Sequence, residues 1–288
     1  MISENFVQYL RFERRFSPHT ITAYRTDLQQ FSDYLMKQYE LEGPEHATHT
    51  IIRSWIVHLM QEGISSRSVN RKITVLKTFF KYALKQGKIK ANPMLKITSP
   101  KSSKRLPAFV DEKAMEKLFE SEIENITAEQ ERDLLILELF YTTGMRLSEL
   151  LQLKVDDFDT YNNTLRIMGK RSKQRIVPLA SAMANNLRIF ITKFNINGLI
   201  FTGKKGKPLY PKLVYNLVKT YLTKVTTLDK KSPHVLRHTF ATHMLNSGAD
   251  INAVKEILGH SSLAATQVYT HNTIEKLTKI YKQAHPRA

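Results

Sequence analysis

The sequence predicts a mainly helical protein of two domains, with a small β-sheet confined to the second. Three observations predict it. Apolar residues recur at helical spacing through most of the chain, two short strand-like runs flank a basic turn, and an aperiodic proline-bearing stretch separates two periodic halves. Of the 288 residues, 42% are hydrophobic and 24% charged, a balance that supports a packed core rather than a disordered chain.

A first helix begins over Phe6 to Phe12. Ser17-Pro18 pairs a capping hydroxyl with proline at the first helical position, and Ile21, Tyr24, Leu28, Phe31 and Leu35 then keep helical period. Ile52, Trp55, Ile56 and Leu59 mark a third helix within Thr50 to Gln61. In the fourth, Val69, Ile73, Leu76, Phe80 and Leu84 face a core, while Arg67, Arg71, Thr74, Thr78, Lys81 and Lys85 share another face. Residues 1–91 are therefore expected to form a four-helix bundle. The stretch 92–107 holds three prolines, three serines and four basic residues, and is expected to be a linker.

The second domain is expected over 108–288. It opens on an acidic helix face (Asp111, Glu112, Glu116, Glu120, Glu122, Glu124) expected to be solvated. Leu134 to Tyr141 is expected to be a buried helix. Thr164 to Met168 and Gln174 to Pro178 make a hairpin around Gly169-Lys170-Arg171-Ser172-Lys173. Leu213, Val214, Leu217, Val218 and Leu222 follow Pro211 at helical spacing; Ser232-Pro233 opens a helix that Gly248 ends, and Asp250 opens one that Gly259 ends. Ile274, Leu277, Ile280 and Tyr281 stripe a last helix.

Composition narrows the chemistry. Without cysteine there is no disulfide framework, no cysteine-held iron–sulfur cluster and no thiolate zinc site, which fits a reducing cytoplasm. Neither a secretory signal nor a membrane span is expected. Lys and Arg number 44 against 26 acids, a net charge of +18 that attracts polyanions. No acid occurs between Gly63 and Val110, where twelve basic residues fall. Arg67, Arg71, Lys72, Lys77, Lys81, Lys85, Lys104 and Arg105 are the expected contacts to a DNA backbone, which binds largely through counterion release. His234 and His238 share a helix face, but Val235 stands where a zinc helix carries Glu, and Arg237 lies between them, so no metal is expected.

Chemistry-bearing residues cluster at element ends: Thr143-Gly144-Met145-Arg146-Leu147-Ser148-Glu149-Leu150, Gly169-Lys170, His234 through His243, Leu258-Gly259-His260-Ser261, and Tyr269-Thr270-His271. In that order they resemble the tyrosine recombinases of the phage integrase family, over nearly the whole chain. The resemblance implies an N-terminal SAM-like core-binding domain and an α+β catalytic domain ending in an exchange helix. It implies that Arg146 and Arg237 clamp the scissile phosphate, that Tyr269 attacks to leave a 3′-phosphotyrosine, that His234 is its acid/base partner, that Lys170 protonates the leaving 5′-oxygen, and that His260 orients the phosphate. No cofactor is implied, since the covalent link keeps the bond energy for rejoining. The compact length favours the Xer-type branch: a cytoplasmic recombinase resolving chromosome dimers at a terminus site, as a homotetramer or with a second recombinase on two duplexes, with a septal DNA translocase as candidate activator. Three alternatives stay open: a mobile-element integrase or transposase with the same chemistry, a relaxase that works without synapsis, and a non-catalytic architectural DNA-binding protein.

Overall fold

The computed structural model describes residues 4–101, 108–120, 126–169, 174–259 and 271–287, with backbone alone for 271–277. The chain divides into two compact units, Met1–Arg105 and Leu106–Ala288.

The first unit is a helical bundle. α1 (Glu4–Gln8) runs into a π-helical turn over Tyr9–Glu13, and α2 (Pro18–Tyr39), α3 (His49–Gln61) and α4 (Ser66–Lys85) follow. The expected cap at Ser17 is in place, its hydroxyl accepting the Thr20 N–H, and the hydroxyls of Thr48 and Ser65 cap α3 and α4 in the same way by accepting the N–H groups of Ile51 and Ser68. Phe6, Leu28, Phe31, Trp55, Ile73 and Phe80 fill the core. Leu84, expected there, is exposed, and Val75, Phe79, Tyr82 and Ala83 are buried on α4 besides the expected residues.

Part of the stretch expected to be a linker, 92–107, packs on the first unit. Asn92 caps a 3-10 turn over Pro93–Lys96 by accepting the Met94 N–H at 2.9 Å, and Met94 and Ile97 are buried in the first core. The Asn70 amide also donates to the Pro100 carbonyl at 2.9 Å. Two apolar residues three apart are too short a pattern to stand out among prolines, yet they tie this stretch to the bundle.

The second unit is built around α6 (Ala128–Thr143), buried from Leu135 to its end. α5 (Glu112–Glu120) precedes it, with Glu112, Glu116 and Glu120 exposed as expected; Glu122 and Glu124 lie outside the described residues. After the single turn α7 (Leu147–Leu150), β1 (Phe158–Asp159), β2 (Thr164–Met168) and β3 (Gln174–Pro178) form an antiparallel sheet in chain order, with Leu165 opposite Val177 and Met168 opposite Gln174. Five helices complete the described fold: α8 (Ser181–Lys193), α9 (Pro211–Val225), α10 (Pro233–Asn246), α11 (Ile251–Leu258) and α12 (His271–Ala284). α8 escaped the sequence reading because Ala180 at its N-cap supplies no side-chain cap. α12 packs against β3, α10 and α11 of its own unit, burying Tyr281 and Ala284, and His285 follows into the same core. Of the expected apolar stripe, Tyr281 therefore has a seat within its own unit, whereas the side chains of Ile274 and Leu277 lie outside the described residues.

Candidate active site

Two helix ends and one strand bring the site together. α6 stops at Gly144, whose φ of +58° closes the helix in the left-handed region. A side chain there would place its Cβ 2.6 Å from Leu258 Cδ2 and from Phe240 Cδ1, so only glycine fits. This close approach holds the end of α6 against α10 and α11.

Arg146 is the N-cap of α7, with extended backbone, and its side chain is 39% exposed. The Glu149 carboxylate, one turn on, accepts the Arg146 backbone N–H at 2.7 Å and its Nη1 at 2.8 Å. Arg146 Nη2 reaches the Gly259 carbonyl at 3.2 Å. Arg237, in the first turns of α10, is buried; its Nη1 donates to Gly144 O at 2.6 Å and its Nη2 to Leu258 O at 2.7 Å. Burial, then the charges of Arg146 and Arg175, pull the Arg237 guanidinium down to about 10, with Glu149 opposing. It stays charged at neutral pH.

Arg175 is the residue the sequence did not offer. It lies buried on β3, and its Nη1 and Nη2 each donate to one Glu149 oxygen at 2.8 Å while Nε donates to Ile257 O at 2.7 Å. Three consecutive carbonyls at the end of α11, from Ile257, Leu258 and Gly259, thus each receive a different arginine. The C-terminal end of a helix carries partial negative charge, which suits cations. Burial would raise the Glu149 carboxyl; the hydrogen bonds and charge of Arg175, then those of Arg146, overcome this and hold it below the ordinary value. Three guanidinium groups around one carboxylate leave positive charge in excess, and Arg146 is its exposed end. Such an arrangement receives an anion with planar, bidentate hydrogen bonds.

His234 is exposed on the first turn of α10, its ring centroid 4.6 Å from that of His238. Burial, then the neighbouring His234 and Arg237, lower His238 and favour its neutral form. His243 is buried and shares a 2.9 Å hydrogen bond with the Tyr141 hydroxyl, a packing role. Lys170, His260 and Tyr269 lie outside the described residues. Sequence reasoning passed over Glu149 and Arg175 although both left a signal. Glu149 is an acid at the third position of a helix, where it can accept the cap N–H. Arg175 shares the inward face of its strand with Val177, and a charge there implies a buried partner.

Comparison with known proteins bears on this geometry. Residues 108–276 match the model of the phage integrase family, and residues 4–87 match that of the phage integrase N-terminal SAM-like domain. The chain belongs to the phage integrase family. Within that family, a tyrosine recombinase XerC from Chlorobaculum parvum is 38% identical, over 99% of this chain and 94% of that one. A tyrosine recombinase XerC from Bacillus subtilis strain 168 is 35% identical, over 98% of this chain and 95% of that one. Among solved structures, the XerH site-specific recombinase bound to its palindromic difH substrate superposes with a TM-score of 0.73 at 25% identity, covering 98% of this chain and 80% of that one. This member of the integrase family is a site-specific tyrosine recombinase, an enzyme of DNA recombination.

On α4, Arg67, Arg71, Lys77, Lys81 and Lys85 are exposed, as a backbone-contacting face requires. Lys72 is a correction. It is buried, its ammonium bonded to Asp27 Oδ1 at 3.0 Å and to the Gln30 side chain, so it braces α4 against α2 and cannot face a phosphate. Arg71 pairs with the same Asp27 from the exposed side, and Lys85 pairs with Glu13 at 2.9 Å. Lys104 and Arg105 lie outside the described residues.

Proposed function

We propose that this recombinase cuts duplex DNA with the Tyr269 hydroxyl. The oxygen attacks the scissile phosphorus, the bond to the 5′-oxygen breaks, and a 3′-phosphotyrosine and a free 5′-hydroxyl result. Arg146 and Arg237 hold the non-bridging oxygens and meet the charge that grows on them. His234 takes the phenol proton, which a group with an ordinary pKa of about 10 gives up reluctantly at neutral pH. Lys170 protonates the leaving oxygen, and His260 orients the phosphate. Rejoining runs the same steps backward, with the partner strand's 5′-hydroxyl attacking.

The observation that carries this reading is the convergence of Arg146 and Arg237, 91 positions apart in sequence, on neighbouring carbonyls at the end of α11. The exposed basic face of α4, from Arg67 to Lys85 without Lys72, tracks the backbone of the same duplex. Relatives named XerC along nearly the full chain support a role in resolving chromosome dimers at a specific site. Four protomers act on two duplexes there, and α12 leaves its own core to join a neighbour.

A duplex nicked beside the cleavage position tests the chemistry, because the short strand diffuses away and traps the covalent adduct. Wild-type protein is expected to accumulate adduct and Tyr269→Phe none. An adduct that persists in Tyr269→Phe would move the nucleophile elsewhere.

A further inference from the structure

We propose that Arg175 is a positioning residue of the cleavage site: from β3 it holds Glu149, and through Glu149 it holds Arg146 in the pose that receives phosphate. This rests on the reading of Arg146 as a phosphate-holding residue.

The geometry is a bridge. Each oxygen of Glu149 accepts one bond from Arg175 and one from Arg146. Oε1 takes Arg175 Nη1 and Arg146 Nη1, both at 2.8 Å; Oε2 takes Arg175 Nη2 at 2.8 Å and the Arg146 backbone N–H at 2.7 Å. The two arginines differ in freedom. The side chain of Arg175 is 4% exposed and that of Glu149 3%, whereas Arg146 is 39% exposed. A fork-to-fork pair fixes both members in one plane, so Arg175 and Glu149 form the rigid part and Arg146 the working part.

A second contact extends the bridge. Arg175 Nε bonds Ile257 O, and the Arg175 Cδ would lie 3.0 Å from a Cβ placed on Gly259, whose φ is +64°. The side chain therefore lies along the last turn of α11, beside the carbonyls that take Arg237 and Arg146. One residue fixes the carboxylate and the helix end that orient both phosphate-holding arginines.

Without Arg175, Glu149 would be buried with Arg146 as its nearest counter-charge. Arg146 would then be drawn to neutralise Glu149 instead of presenting its amino groups outward. Among the described residues, the charged groups facing Glu149 are Arg146 at the head of α7, Arg175 on β3 and Arg237 on α10. With one of the three removed, burial would lift the Glu149 carboxyl toward the assayed pH range.

The test compares Arg175→Met and Arg175→Lys with wild type in single-turnover adduct formation on the nicked duplex, from pH ~5.5 to ~9. Affinity for the same duplex and the melting temperature are measured alongside. Arg175→Met is expected to cleave about 100-fold more slowly at unchanged affinity, the scale of a misplaced catalytic group. Its rate should also gain a one-proton acid limb that wild type lacks. Arg175→Lys, which restores the charge without the fork, should recover part of the rate and lose the limb. A purely structural role predicts a lower melting temperature with a wild-type pH profile among folded molecules, and that result overturns the proposal. Should Arg175→Met not fold, the rate of folded Arg175→Lys at unchanged affinity decides: slower cleavage than wild type supports the proposal and the wild-type rate overturns it. A lysine variant that also fails to fold makes the residue structural and likewise overturns it. Wild type is the internal control. If it forms no adduct on Tyr269 the functional reading fails, whereas normal cleavage by the variants beside a normal wild type sinks this inference alone.

Discussion

Among the described residues, each unit of the molecule holds a buried carboxylate between two cations, and the two arrangements do different work. In the first unit Asp27 is held by buried Lys72 and by Arg71, whose side chain is half exposed. In the second, Glu149 is held by buried Arg175 and by Arg146, which is partly exposed. The pairings are alike, so a buried ion cluster is not in itself a sign of a catalytic site. What sets the second apart is Arg237, a third guanidinium seated on backbone carbonyls rather than on an acid. It adds charge without adding a counter-charge. The first cluster ties α2 to α4; the second ties α7, β3 and α11 together and leaves positive charge to spare.

That contrast can be broken by experiment. The largest effects should come from the carboxylates themselves. Asp27→Asn and Glu149→Gln should each cost about 3–5 kcal/mol of stability, the usual loss when a buried pair loses one partner, read as denaturant midpoints. Only Glu149→Gln should also slow adduct formation in the molecules that remain folded. Equal slowing by Asp27→Asn would erase the distinction between the clusters.

Next in size, Arg237→Ala should lower the cleavage rate by about 100- to 1,000-fold, as loss of one preorganised donor does. Lys72→Met, which removes the matching buried cation of the first unit, should leave cleavage of bound substrate unchanged and lower only the melting temperature.

Acid should separate the units as well. Burial, opposed by the hydrogen bond to the Tyr141 carbonyl, pulls His285 from 6.5 down to about 4, and burial likewise lowers His243. A histidine depressed by folding takes up its proton more readily in the unfolded chain. The stability that His285 contributes is therefore complete above 6.5, falls as pH drops toward 4, and is flat below. The slope in that window should approach about 1.4 kcal/mol per pH unit. Thermal melts from neutral pH downward should show the 106–288 unit weakening first, and His285→Gln should flatten its decline; a first unit that weakens ahead of it would contradict the assignment.

The smallest effect concerns α4. Arg67→Gln or Lys81→Gln should each reduce the slope of log affinity against log salt by about 0.9, one phosphate contact apiece. Lys72→Met should leave that slope at the wild-type value. A reduced slope would return Lys72 to the DNA face.

Much of this was legible because local signals act over a few residues. Ser17-Pro18, Asp250 and Gly259 mark helix ends by capping chemistry, and Thr164–Met168 with Gln174–Pro178 mark a hairpin by alternation; all stand where expected. Lys72 was misjudged by its charge. Three residues after Val69 and four before Leu76, it lies on the apolar stripe of α4, and only Asp27, 45 positions earlier, reveals why a lysine is tolerated there. Glu149 and Arg175 were illegible as a pair for the same reason: neither residue states its partner 26 positions away. Met94 and Ile97 were hidden among prolines that read as linker. Arg146 and Arg237 stand out by motif order alone, which carries no account of what holds them still.

The three carbonyls at the end of α11 have a consequence for the order in which the protein matures. Each is tied to an arginine distant along the chain, by 21 positions for Arg237, 82 for Arg175 and 113 for Arg146. Contacts between residues so far apart form late, because the loops between them must close first. α6, α10 and the hairpin can all take shape while the arginine cluster is still open. Refolding chains should regain helical signal before they regain cleavage, and a ribosome-bound chain that has not yet released residue 259 should carry the arginines without the site.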